Sequence, residues 1–391
     1  MRKNVSKHRG LMKKILLISM SLGKGDYGGG IVSNTNFFAL KELEHYELFS
    51  VGIVKNTNDA PNFINMVLPG NASKFSTAIN NILGFAGQLN NKTTKNIKYI
   101  IDEFEPDIVY LDSSLLGCIA SYCKKKHKTI QIITFFHNIE FDFEIARIMS
   151  GLLHFFPSLI STTLAEYAAV RYSDKIIALH KKDSFRLEEK YGRKADYIVP
   201  VCIKDTQREK SFKLVNEKKK EGKKLKVGFI GTAFFANVES AKIISQYIAP
   251  KVEGIANFYI CGNGFEKYKA LNSTNVNVSG YIDSLDDFYN EMDVMIFPIF
   301  SGAGMKVKIA ESLMYNKPIL ASAFALVGYE KIIDGTNVIS CESHESFVYH
   351  IRQFRRDNNT LYNRKSYYKY FSDKACLHYF RNILREIVNN E

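Results

Sequence analysis

Short, β-branched apolar runs alternate with helix-length amphipathic segments along this chain, and the alternation happens twice. Each half opens with a strand that runs into a glycine-containing turn and a helix: Gly28-Gly29-Gly30 in one, Gly231-Thr232 in the other. Continuous apolar strands are buried on both faces, which requires a parallel sheet with helical crossovers. The first half predicts strands at Lys14–Met20, Leu48–Val54, Asp107–Leu111, Ile130–Phe135, Lys175–Leu179 and Tyr197–Val201, with helices such as Ile31–Leu43, Thr93–Phe104 and Leu115–Lys125. From Asp205 to Lys226 the pattern breaks into charged sequence, and strands resume near Lys226–Ile230, Phe258–Cys261, Val276–Val278, Val294–Phe297, Ile319–Ala321 and Val338–Ser340. The expectation is two doubly wound α/β domains. Its divisions are a basic arm (1–12), a first domain (13–204), a charged linker (205–225), a second domain (226–348) and C-terminal helices (349–391) packing across the domains.

The net charge of +13 is concentrated. Residues 1–14 hold six Lys/Arg and no acid, and residues 208–226 hold nine Lys/Arg against Glu209, Glu217 and Glu221. Because the remainder is nearly neutral, a nucleic-acid surface is not expected. The two segments read as solvated arms that serve solubility or favour an anionic membrane surface. Six cysteines show neither zinc spacing nor a secreted disulfide framework. No signal peptide is expected, and Met12, before Lys-Lys-Ile-Leu-Leu-Ile, is a second candidate start. The longest uncharged run, Ile148–Ala165, contains His154, Pro157 and five Ser/Thr, which argues against a membrane span. A cytoplasmic protein, peripheral at most, is the expectation.

Three segments could carry chemistry. Gly23-Lys-Gly-Asp-Tyr-Gly28 matches the dinucleotide fingerprint, but the second strand ends Val54-Lys55-Asn56, without the acid that would hold a ribose. The adjoining Gly29 and Gly30 still allow close backbone approach to a phosphate or sugar, or serve only as a tight turn. His137-Asn138-Ile139-Glu140 follows an apolar strand at its carboxyl end, where open sheets bind ligands. His137 there could exchange a proton or bond a hydroxyl, or cap a helix. The Phe141–Ala165 stretch after it suits ordinary core helices, with a greasy acceptor or membrane surface as the other reading.

The third segment, Asp293 to Ser322, is the most informative. A buried strand ends at Pro298, a loop with Gly302 and Gly304 exposes amides, and a helix begins. Amides and helix dipole attract phosphate, Lys306 and Lys308 add charge, and Glu311, about two turns into the helix, can accept both ribose hydroxyls. That combination suits a nucleoside diphosphate.

Taken together, the paired Rossmann-like domains, the His-Asn-x-Glu sequence and Gly-x-Gly-Met-Lys-x-Lys-x-x-Glu-Ser-Leu followed by Lys-Pro-Ile-Leu-Ala-Ser resemble GT-B-fold glycosyltransferases, particularly family four (group 1). The resemblance implies two domains facing across a cleft, a nucleotide-sugar donor (a UDP-sugar above others) on the second, and a glycan or lipid-linked acceptor on the first. It implies transfer with retained anomeric configuration, in surface polysaccharide or glycoconjugate synthesis. Carried over, Glu311 matches the donor-ribose carboxylate, and Gly304, Met305 and Lys306 match the loop at the diphosphate and sugar. Gly29 and Gly30 match the phosphate-facing turn, and His137 the histidine near the donor sugar, with Asn138, Gly302, Ala303 and Lys308 beside them. Neither metal nor cofactor is implied, since no Asp-x-Asp motif occurs. Two departures stand out. The family's earlier glutamate falls on Ala303, and its basic pair after the second domain's first strand is replaced by Thr232-Ala-Phe-Phe-Ala-Asn-Val-Glu239. Lys306 or Lys308 could supply that charge instead. The departures keep open a non-catalytic accessory protein, and the fold a nucleotide-sugar epimerase.

Overall fold

A computed structural model describes residues 12–25, 27–149, 151–207, 223–333, 337–354 and 362–389. Nearly all of the basic arm and most of the charged linker therefore lie outside the described residues. The chain divides into two compact units, the first comprising the residues up to Ala178, Asp183–Ile198 and those from Leu377 onward, the second Leu179–Lys182 and Val199–Cys376.

The first unit is built on β1 (Lys13–Ser19), β2 (Tyr46–Val54), β3 (Met66–Pro69), β4 (Ile108–Leu111), β5 (Gln131–Phe136), β6 (Lys175–Ala178) and β7 (Tyr197–Ile198). All pair in parallel, in the order β3-β2-β1-β4-β5-β6-β7. Between them run α1 (Gly28–Lys41), α2 (Lys74–Ile82), α3 (Asn91–Phe104), α4 (Gly117–Lys126), α5 (Glu140–Met149), α6 (Phe156–Tyr172) and α7 (Lys181–Tyr191). The second unit holds β8 (Leu225–Ile230), β9 (Ala256–Cys261), β10 (Val276–Val278), β11 (Val294–Phe297), β12 (Ile319–Ser322) and β13 (Val338–Cys341), also parallel, in the order β10-β9-β8-β11-β12-β13. Its helices include α8 (Phe235–Ile243), α9 (Leu285–Glu291), α10 (Val307–Met314), α11 (His344–Gln353) and α12 (Tyr362–Tyr370). The last helix, α13 (Asp373–Asn389), joins the first unit from Leu377, where Phe380 meets the ring of Tyr110 edge-on.

Both sheets place the first strand beside the fourth, so the chain reverses direction across the sheet there and leaves a crevice at the carboxyl ends of those two strands. The central strands are buried throughout, as β1 shows from Ile15 to Ser19. Each such Ile or Leu gives about 1.5–3 kcal/mol of burial. One strand, β3, is missed by the sequence reading: its Met-Val-Leu-Pro run is only four residues long, with Met66 and Pro69 exposed.

Phe141–Ala165 is only partly core. Phe75, Ile79 and Ile82 on α2, with Leu83 just after it, are exposed, as are Met149, Leu152, Leu153, Phe156, Ile160 and Leu164. Helices α2 and α6 pack on each other, and α5 and the turn after it pack on α6, so these exposed side chains lie on neighbouring elements. The core reading fails over much of the run because its buried positions are small or polar, Glu144, Ser161, Thr162 and Ala165, while many of its large residues are exposed. No described helix is long and apolar enough to cross a membrane.

Candidate active site

In the first unit, the turn after β1 is held by short polar side chains. Ser19 Oγ accepts from the N–H groups of Ser21 and Leu22, each at 3.0 Å, and donates to Asp112 Oδ2 at 2.7 Å, tying β1 to β4 across the reversal point. Asn34 Oδ1 accepts from Gly23 N–H at 2.8 Å, where Gly23 has a φ of +84°. The glycine triplet is not a loop ahead of the helix, as the sequence reading has it, but the first turn of α1. Tyr27 before it offers no side-chain cap, so this helix end retains the donors an anion could use. A Cβ at Gly30 would overlap the carbonyl oxygen of Lys24, so that glycine is explained by packing, whereas Gly29 meets only the ring of Tyr27.

His137 comes directly after β5. Its Nε2 lies 3.1 Å from the Asp112 backbone oxygen and 3.3 Å from Asp112 Oδ1, and since both are acceptors, Nε2 carries the proton. Burial lowers the pKa of His137, but the Asp112 charge and hydrogen bond, helped by Glu140, outweigh it and the net shift is upward. His137 Nδ1 and Asn138 Oδ1 are buried without a hydrogen-bond partner. Such atoms cost about 1–3 kcal/mol each unless a partner reaches them.

Beneath this pair, Glu166 of α6 is fully buried. It accepts from Glu140 N–H (2.9 Å) and Phe141 N–H (3.1 Å), capping α5, and from Ser114 Oγ (3.2 Å) and Tyr191 OH (2.8 Å). Burial and the nearby Glu166 push the Glu140 carboxyl up to about 8, with His137 and Arg147 opposing. Asp112 and Glu166 were not anticipated: a single Asp in Leu-Asp-Ser-Ser and a Glu inside an apolar helix carry no motif.

In the second unit, the turn after β8 and the turn after β9 interlock. Gly262 has a φ of +135°, and a Cβ there would overlap the Gly231 carbonyl oxygen. Ala233 N–H donates to Asn263 O at 2.8 Å. The loop after β11 turns on Gly302 (φ +104°) and Gly304 (φ +66°), and Ser240 Oγ holds Pro298 O at 3.0 Å beneath it.

Lys306 Nζ donates to the carbonyls of Ala303 (2.9 Å) and Gly304 (2.8 Å), so its first task is to clamp its own loop. The Met305 side chain is buried, its sulfur 3.3 Å from Val201 N–H, so it packs the loop from inside and leaves only backbone for a ligand. Glu311 sits little more than one turn into α10, which begins at Val307, not the two turns expected. It is 6% exposed. Tyr289 OH donates to its Oε2 at 3.0 Å, and Lys308 Nζ reaches both oxygens at 2.8 Å. Tyr289 stacks flat on Tyr315, centroids 4.3 Å apart, which fixes that hydroxyl.

His180 is a further member that sequence reasoning missed, because it follows β6 yet belongs with the second unit. Burial, against Glu330 and with Lys306 and Lys182, lowers its pKa to about 4, so it is neutral at pH 7. Among the described residues no group of His, Cys, Asp and Glu is arranged to hold a metal.

Residues 224–357 match the family Glycosyl transferases group 1. No curated protein matches the sequence. Solved structures share the fold at low identity. HepE of Anabaena in complex with UDP is 12% identical, with a TM-score of 0.64 over 96% of this chain and 100% of that one. S. aureus TarM (a G117R mutant in complex with Fondaparinux, alpha-GlcNAc-glycerol and UDP) is 12% identical, at 0.62 over 95% and 99%. WaaG, a glycosyltransferase involved in lipopolysaccharide biosynthesis, is 14% identical, at 0.55 over 93% and 94%.

Proposed function

We propose that this chain, which has the GT-B fold and carries a glycosyl transferases group 1 domain in its second unit, moves a sugar from a UDP-sugar to a hydroxyl of a glycan or lipid-linked acceptor, retaining the anomeric configuration. The observation that carries the donor assignment is Glu311. A buried carboxylate fixed by Tyr289, at the start of a helix entered through a two-glycine loop, suits a ribose with its diphosphate on the loop amides. Lys308 occupies both Glu311 oxygens in the ligand-free chain. Ribose hydroxyls arriving there displace the ammonium, which becomes available to the diphosphate. Lys306 keeps the loop closed and lends the leaving group a second positive charge. Gly302, Ala303, Gly304 and Met305 contribute backbone.

The first unit handles the sugar and acceptor. His137, oriented by Asp112, and Asn138 offer unpaired polar atoms to sugar hydroxyls, and the Gly29–Gly30 end of α1 offers amides. The exposed apolar side chains on and beside α2 and α6 favour a lipid-linked acceptor at a membrane surface, since they combine Phe75, Ile82, Leu153 and Phe156 with no exposed acid among them. Surface polysaccharide or glycoconjugate synthesis is the setting this suits, with the protein on the cytoplasmic side.

A thermal-shift titration tests the donor site. UDP at about 100 times its dissociation constant adds roughly 2.7 kcal/mol to the native state. That shift is expected with UDP and is lost in Glu311→Ala; equal shifts in both proteins would overturn the donor assignment.

A further inference from the structure

At the amino ends of the first unit's strands, the α1–β2 turn and α13 enclose a cavity of about 490 Å³. That is the size of a site for a sugar-sized molecule. Arg381 and Arg385 both line it. Four residues apart on one helix, they present two guanidiniums from the same face. Neither has an ion pair or hydrogen bond among the described residues, and Glu44, which also lines the cavity, pairs with neither. His45 stands at the cavity's edge with a φ of 72°, in the left-handed region, its carbonyl accepting Lys13 N–H at 3.1 Å. Leu43 and Val388 give the cavity an apolar side, and Glu44 and Asn389 give it hydroxyl-bonding groups.

We propose that this cavity binds a phosphorylated polyol. Two forked guanidiniums one turn apart match a tetrahedral dianion, which can take paired N–H donors from each. A single carboxylate would leave one fork unused. Glu44 and Asn389 receive the polyol hydroxyls, and the carbon skeleton lies on Leu43 and Val388. The site is independent of the donor reading: it is formed by other elements, at the amino ends of the first sheet's strands, whereas the glycine turn and His137 lie at their carboxyl ends. The ligand could be a free sugar phosphate or the headgroup of a phosphoglycerol lipid, which share this chemistry.

Calorimetry on the full chain tests it, with glucose 6-phosphate, glucose and inorganic phosphate as soluble probes, and phosphatidylcholine vesicles with and without phosphatidylglycerol as the membrane probe. We expect glucose 6-phosphate to bind and glucose not to. In Arg381→Gln/Arg385→Gln the affinity falls by about tenfold or more, in the range of lost charge-assisted hydrogen bonds. The Lys/Lys variant recovers part of it, and UDP affinity is unchanged in both. Binding confined to phosphatidylglycerol vesicles, and lost in the Gln variant, supports the site with a lipid headgroup as its source. Binding of neither the ester nor the vesicles, or binding undiminished by the double substitution, overturns the proposal. UDP affinity and far-UV circular dichroism verify that the variants fold, with the exposed single change Arg385→Gln as a milder check.

Discussion

The two units repeat one strand order and differ at the same place, the carboxyl ends of the first and fourth strands. In the first unit that place is filled by side chains: Ser19 bound to Asp112, Asp112 to His137, and Glu166 capping the helix that follows. In the second it is filled by backbone. Gly231 and Gly262 interlock, Gly302 and Gly304 turn the loop, and its lysine is tied to the loop's own carbonyls. Topology sets where a ligand can sit, and the loops set what kind of ligand it is. Side-chain donors and acceptors suit variable hydroxyl groups, and fixed amides suit a phosphate.

The sharpest way to break this contrast is Gly262→Ala. A φ of +135° and overlap with the Gly231 carbonyl together should cost about 4 kcal/mol, from strain and overpacking of about 1–3 kcal/mol each. Urea unfolding followed by segment-resolved hydrogen exchange should show the loss in the second unit. Equal protection in mutant and parent would mean that the backbone-built site is not rigid.

Glu166→Ala attacks the side-chain-built site. Removing a buried carboxylate that accepts four hydrogen bonds should cost about 3 kcal/mol, since Glu140 and Phe141 N–H lose their cap. Exchange at those two amides should speed up while the second unit's amides are unaffected.

The pH response differs in sign between the units. His137 has a raised pKa, so its contribution to stability is complete below its unfolded pKa of about 6.5 and is lost as pH rises through the folded value. Glu140, raised to about 8, acts in the same direction, its protonated form favouring the fold and that support fading as pH rises from about 4.5 to 8. His180, lowered to about 4, runs the other way: its contribution is present above about 6.5 and is lost as pH falls toward 4. Asp112→Asn should drop the His137 pKa below its parent value, because burial then acts with less opposition. An NMR titration of the ring protons reads it, and an unmoved pKa would remove Asp112 as the orienting group.

The smallest effect belongs to Lys306→Ala. Loss of one loop clamp and one charge should weaken UDP by about tenfold, roughly 1.4 kcal/mol, without unfolding the chain.

Most of this frame was legible in the sequence, because parallel strands buried on both faces leave runs such as Ile15-Leu-Leu-Ile18 and Val294-Met-Ile-Phe297 that admit little else. The placement of Glu311 on a helix entered through a glycine loop was legible for a similar reason: strand, loop and helix follow each other directly between Val294 and Met314. What escaped notice depends on contacts distant in the chain. Asp112 meets His137 from 25 residues away, and Glu166 reaches Glu140 from 26. Tyr289 orients Glu311 from 22. A reading of neighbours sees Lys306 and Lys308 as available charge, whereas folding turns one onto carbonyls and the other onto a carboxylate.

The division of labour is tested most directly by measuring UDP affinity and sugar transfer or donor hydrolysis together in Glu311→Ala and His137→Ala. Glu311→Ala is expected to lose UDP affinity, while His137→Ala binds UDP as the parent does and loses turnover. A Glu311→Ala protein that binds UDP normally, beside a His137→Ala protein that does not, would contradict it.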